Sequence, residues 1–289
     1  MEQHGPLAYQ TYGALNQAAD NCVLMPTYYA GTDRSYLPQI GTGRALDPAR
    51  WFIVIPNMLG NGVSASPSNT TGFTPATVAG NVAAQHALLA SLKVRRIALI
   101  YGWSMGAMQA YAWAAAYPEM VAAVLAVCGS AKCWPLNHVF IEGLRAAMRG
   151  GKRAFGTAYA GWAYSAAFYR GEMYQPMGFA TRDDFLTFWA DDHDSWDARD
   201  LLAMLTTWQS ADLGPAELAC ITARTIIMPC DTDMYFTLDE ARIEAAAIPG
   251  AELRPMISPH GHCAGAPGRF PAETAQIEQA LHDLLSTDH

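Results

Sequence analysis

The sequence predicts an α/β fold: a mostly parallel sheet with helices on both faces, interrupted once by a long helical insertion. Three observations predict it. Short apolar, β-rich runs alternate with helix-length stretches along most of the 289 residues. A single G-x-S-x-G, Gly102 to Gly106, stands between one such run and one such stretch. Between about residues 131 and 215 the alternation stops, and an aromatic, small-residue segment without a clear strand takes its place.

Taken in order, Cys22–Thr27 and Trp51–Asn57 are apolar runs bounded by turn residues and read as buried strands. From Thr77 to Leu92 the apolar residues Val78, Val82 and Leu89 recur at helical spacing, with His86 on the same stripe, where it reads as a packed, hydrogen-bonded histidine. A strand over Arg96–Tyr101 follows, then a helix over Met105–Tyr117 that Pro118 stops, then a strand over Val121–Cys128. After the insertion the alternation resumes with a strand at Arg224–Pro229, a helix at Leu238–Ile248, a strand at Ala251–Ile257 and a last helix from Pro271 to about Leu285. No internal repeat is visible.

Composition bounds the function. The chain is 51% hydrophobic and 15% charged, which excludes a disordered protein. Lys and Arg number 18 against 26 Asp and Glu, a net charge of −8, so phosphate backbones and anionic membranes are disfavoured partners. The six cysteines lack a paired framework and read as buried or free thiols of a reducing compartment. The N-terminal residues, which include His4, lack the basic and apolar regions of a signal peptide, and the longest apolar tract is broken by Gln109, Pro118 and Glu119. A cytoplasmic protein without a membrane partner is the expectation.

The G-x-S-x-G carries the chemistry. A serine on a sharp strand-to-helix turn presents its Oγ above the sheet, and the N–H of the next residue, Met105, is free to stabilise negative charge at the helix N-terminus. Ser104 is the candidate nucleophile. Such a serine needs an acid and a base farther along the chain. Asp231 and Asp233 both follow the strand that ends near Pro229, and His260 and His262 both follow the next one. Parallel strands bring these ends to one edge of the sheet. His260 and His262 beside Cys263 could alternatively form a metal site, although no second ligand cluster accompanies them and no metal is expected. His193, in an acidic run, reads as part of a solvated helix or turn, and His282 and His289 lie near the C-terminus.

These motifs, together with Ala8–Asn16, Asp20–Thr32, Val54–Ser68, Phe73–Leu89, Cys128–Asn137 and Ser258–Gly265, resemble the homoserine O-acetyltransferase branch of the α/β-hydrolase superfamily over nearly the whole chain. The resemblance implies a hydrolase core in two parts (1–130 and 217–289) around a helical lid at 131–216. It selects Asp233, which precedes Met234-Tyr235-Phe236, as the acid, and His262, which follows Gly261, as the base. It also implies Tyr29 as the second oxyanion donor beside Met105, with Tyr28 next to it, and a homodimer formed through the lid. Departures are concentrated where the transferases define their substrate. Trp103 and Ala107 replace elbow glycines, Thr27-Tyr28-Tyr29-Ala30-Gly31 replaces a His-Ala-Leu-Thr-Gly segment, and Ala79-Gly80 stands where an Arg-Asp pair is usual.

Trp103 and Tyr28 therefore join the candidate substrate-binding residues. The expected activity is hydrolysis of a small ester, thioester or amide through an acyl-Ser104 intermediate, with a small-molecule acyl substrate and no cofactor. Acyl transfer from acetyl-CoA to homoserine or another alcohol is the alternative, and a non-catalytic ligand receptor is the alternative of another class. The lid aromatics Trp162, Tyr164, Phe168, Tyr169, Phe185, Phe188 and Trp189 suit an apolar substrate, although most of them would simply pack the lid.

Overall fold

A computed structural model describes residues 6–286. His4 and His289 lie outside the described residues. The elements run β1 (Tyr9–Tyr12), β2 (Cys22–Leu24), β3 (Phe52–Pro56), α1 (Val78–Ser91), β4 (Ile97–Trp103), α2 (Met105–Ala116) and β5 (Ala123–Val127). Six helices follow: α3 (Pro135–Met148), α4 (Lys152–Ala163), α5 (Ala166–Arg170), α6 (Arg182–Asp194), α7 (Ala198–Gln209) and α8 (Pro215–Leu218). The chain then returns to the sheet with β6 (Arg224–Met228), α9 (Leu238–Ala247), β7 (Glu252–Leu253) and α10 (Pro271–Leu285).

The seven strands form one sheet in the order β1-β3-β2-β4-β5-β6-β7. All neighbours are parallel except β1, which pairs antiparallel with β3 at the edge. Strict alternation divides the strand residues between two cores. Val23, Ile53, Ile55, Leu125 and Val127 pack on the face covered by α10, where Ile277, Leu281 and Leu284 meet them. Cys22, Leu24, Val54, Val124 and Ala126 pack on the opposite face with Leu89 of α1, Trp113 of α2 and Ala241 of α9. Burial on both faces is why these strands read as continuous apolar runs rather than as alternating ones.

Three elements differ from expectation. The edge strand β1 has no apolar run to announce it, because its four residues are half-buried or exposed. The strand expected over Ala251–Ile257 is only two residues long. Pro255 has no N–H to give to the sheet, and pairing continues on either side of it through Arg254 N and Met256 N. His86 makes no hydrogen bond among the described residues; it is half-buried and lies flat on Tyr117, centroids 4.3 Å apart.

The helices α3 to α8 leave the sheet after β5 and return to it at β6 through a narrow neck. Cys133 N donates to Ala211 O at 2.8 Å and Leu213 N to Ala131 O at 3.3 Å, so the outgoing and returning chains pair antiparallel. Glu244 of α9 clamps this neck. Its Oε1 accepts from Ala131 N at 2.9 Å and from Trp134 Nε1 at 2.8 Å, while its Oε2 is buried without a partner. Burial pushes the carboxyl up to about 7, against an unfolded value near 4.5. The folded state therefore binds more protons than the unfolded state between those two values. Stability should fall as pH rises through that window and level off above it, by on the order of 3 kcal/mol. Urea unfolding at pH 5 and pH 8 should show this loss in the wild type and not in Glu244→Gln.

Candidate active site

The turn between β4 and α2 holds Ser104 at φ +56° and ψ −126°, a strained conformation for a residue with a side chain. Neighbouring backbone packs too tightly for the turn to relax. A Cβ on Gly102 would stand 2.2 Å from the carbonyl of Gly106, and one on Gly106 would stand 2.6 Å from Pro26 O. Ser104 N also donates to Val127 O, which continues the sheet pairing through the turn. The serine is 2% exposed.

Two other strand ends deliver its partners. Beyond β6, Asp233 Oδ1 accepts from the N–H groups of Tyr235 and Phe236 at 3.1 and 3.0 Å, which fixes the carboxylate. Its Oδ2 lies 2.8 Å from His262 Nδ1, and His262 Nε2 lies 3.0 Å from Ser104 Oγ. A carboxylate only accepts, so Nδ1 carries the proton and Nε2 is free to accept from the serine hydroxyl. His262 stands in a single 3-10 turn, Gly261–Gly265, entered through Gly261 at φ +61°. All three residues are buried.

The competing residues have other partners. Asp231 is exposed and accepts from Ser258 N at 3.0 Å. His260 faces Glu273 of α10 at 2.7 Å and stacks on Phe270. The two histidines of the H-x-H are thus committed to different carboxylates. Among the described residues no group of three or more His, Cys, Asp or Glu side chains is placed to hold a metal ion.

Met105 and Tyr29 supply main-chain N–H groups that donate to no other group among the described residues. The loop bearing Tyr29 is anchored through a buried polar chain. Trp113 Nε1 donates to Gln85, Gln85 Nε2 donates to Gln109, and Gln109 Nε2 donates to Thr27 O at 2.8 Å. Each buried polar group in that chain has a partner, which makes the loop rigid. The Tyr29 side chain points away into the helical insertion, where its hydroxyl donates to Leu201 O. The side chain of Met105 belongs to the same packed cluster.

Trp103 stacks on the His262 imidazole, with centroids 5.1 Å apart, and meets Tyr28 edge-on at 4.4 Å. Both line a cavity of about 310 Å³ that also contains Ser104, Tyr29 and His262. Of the seven lid aromatics singled out in the sequence, Phe188 and Trp189 line this cavity, whereas Tyr164, Phe168 and Phe185 are fully buried packing residues.

Several lining residues escaped the sequence reading. Tyr159, Asp192, His193, Cys263 and Arg269 all face the cavity. His193 is a correction: it is 3% exposed, not solvated. The four-residue spacing of Phe185, Trp189 and His193 puts them on one stripe of α6, and that spacing was the signal available in the sequence. Burial pushes the Cys263 thiol up, away from the thiolate form.

No helix among the described residues is long and apolar enough to cross a membrane. Residues 23–265 match the family model described as alpha/beta hydrolase fold. The ethyl acetate hydrolase of Pseudomonas veronii is 33% identical, with 97% of this chain and 90% of that protein aligned. A solved acetylester hydrolase from Corynebacterium glutamicum superposes with a TM-score of 0.92 at 31% identity, covering 96% of this chain and 89% of that one. The homoserine O-acetyltransferase of Moorella thermoacetica is 35% identical, but over 46% of this chain and 42% of that enzyme. With a match to the family model over most of its length, and Ser104, Asp233 and His262 brought together from three strand ends of one sheet, the chain belongs to the alpha/beta hydrolase fold family.

Proposed function

We propose that this enzyme hydrolyses esters of short acyl groups through an acyl-Ser104 intermediate. The observation that carries the reading is the unbroken relay from Asp233 through His262 to Ser104, opening on a cavity of about 310 Å³. The similarity to acetyl-ester hydrolases along nearly the whole chain supports it.

In the first step His262 Nε2 takes the Ser104 proton as Oγ bonds to the ester carbonyl carbon. The Met105 and Tyr29 N–H groups would hold the resulting oxyanion, each donor worth about 3 kcal/mol in such sites. The imidazolium, its charge balanced by Asp233, returns the proton to the leaving alkoxide, and the alcohol departs. Water then attacks the acyl-serine by the same route, giving the carboxylic acid and free Ser104.

One assay tests this against acyl transfer. The protein is incubated with ethyl acetate and p-nitrophenyl acetate, and separately with acetyl-CoA with and without homoserine, following acid, nitrophenolate and free thiol. Ester turnover that is indifferent to homoserine is the expected result. Thiol release that depends on homoserine, with the esters left intact, would replace hydrolysis by transfer. Binding without turnover of any of these would favour a receptor.

A further inference from the structure

We propose that His193 Nε2 is a specificity-determining hydrogen-bond acceptor that selects esters carrying a hydroxyl group. The inference rests on the hydrolase reading above and names the substrate class it leaves open. His193 lies on α6, one turn beyond Trp189, and lines the same cavity as Ser104. Its Nδ1 is 2.9 Å from Trp189 O. A carbonyl only accepts, so Nδ1 holds the proton and Nε2 is left as a bare acceptor. Among the described residues Nε2 has no hydrogen-bond partner, yet it is absent from the atoms that are sealed and unpartnered. It is therefore open to the cavity contents.

The surroundings keep this ring neutral and in place. Burial pulls the His193 imidazole below its usual value, against the opposing influence of the Trp189 carbonyl and of Asp192, whose carboxylate is 3.5 Å from Nδ1. Phe155, Tyr159 and Trp189 pack against the ring with centroids 5.5 to 5.6 Å away. A neutral acceptor in a largely buried wall is satisfied by a neutral donor such as a hydroxyl.

The acceptor stands on the cavity wall away from the reacting atoms. Tyr235 lies 4.5 Å from the His262 ring and Tyr159 is 6.4 Å from Tyr235, while Tyr159 is 5.5 Å from both Tyr29 and His193. The hydroxyl it takes is one that the ester carries away from the scissile bond, in its acyl or its alcohol portion.

The test compares 3-hydroxypropyl acetate with butyl acetate and ethyl 3-hydroxypropionate with ethyl butyrate, each pair differing by a hydroxyl in place of a methyl, with the shorter and longer hydroxy esters and their methyl counterparts alongside. In the wild type the hydroxy ester of at least one pair should have the higher kcat/KM, by roughly 2- to 10-fold, the range of one net neutral hydrogen bond. In His193→Phe, which keeps an aromatic ring for the stack, that ratio should fall to about one. A wild-type ratio near one in all pairs, with turnover dependent on Ser104, overturns this inference and leaves the hydrolase reading intact. A ratio that persists in His193→Phe also overturns it. Absence of Ser104-dependent turnover for every ester overturns both readings. The wild-type comparison stands even if the variant does not fold.

Discussion

Ser104→Ala should lower kcat for p-nitrophenyl acetate about a million-fold, the loss seen when a serine nucleophile is removed from a working triad, while the unfolding midpoint in urea hardly moves. The change deletes one oxygen whose partner is His262 Nε2, and nothing in the packing of β4 on α2 depends on it. The replacement keeps the Cβ that already tolerates φ +56°, so backbone strain is the same in both proteins. No alternative nucleophile takes over, because the one thiol lining the cavity, Cys263, is held protonated by burial. Retention of even one-hundredth of the wild-type rate would remove Ser104 from the mechanism. A large fall in stability alongside the lost rate would show that the hydroxyl supports the fold as well.

Gly102→Ala should have the opposite signature, a failure of folding with no chemical group removed. The added methyl would sit 2.2 Å from Gly106 C and O and 2.4 Å from Ala107 N. These are backbone atoms, which cannot rotate aside as a side chain would. Either β4 must part from α2 or the turn must open, and a cost of about 4 kcal/mol or more places the variant among the severe cases. Gly143, in the middle of α3 with nothing outside its own helix within 4 Å of where its Cβ would be, is the control. Gly143→Ala should gain about 0.5 to 1 kcal/mol from helix propensity. Urea unfolding of the two alanine variants checks both signs. A soluble, active Gly102→Ala enzyme would refute the close packing at the nucleophile turn.

What the sequence disclosed, and what it hid, follows from the range of the interactions involved. Strands buried on both faces leave unbroken apolar runs, so β2 to β6 were legible, as was the turn that must be built from Gly102 and Gly106. The strand β1 was not, because an edge strand of half-exposed residues carries no such run. Spacing alone left Asp231 and Asp233 equal, and the resemblance chose Asp233 by the Met234-Tyr235-Phe236 that follows it; the physical distinction is that the N–H groups of Tyr235 and Phe236 fold back on its carboxylate, which faces His262. The histidines divided for a similar reason, since Glu273 lies on α10 and claims His260 across a tertiary contact. The least legible part was the wall of the cavity contributed by α6. Which stripe of a helix faces inward depends on how six helices pack on one another, and a run of four acids around His193 suggested water where the packing put aromatic rings.

The pairing at the neck of the insertion has a consequence for how the protein is built. Residues 131 and 213 are hydrogen-bonded neighbours, so the chain departs from and returns to the sheet at points about one strand spacing, roughly 5 Å, apart. β5 and β6 pair in register across that gap. The segment is also fastened beyond the neck: Tyr29 Oη donates to Leu201 O, Asn137 Nδ2 to Tyr235 O and Ser165 Oγ to Pro259 O. Exchange of the segment would therefore alter the walls of the cavity and also release the loops that hold Asp233 and His262.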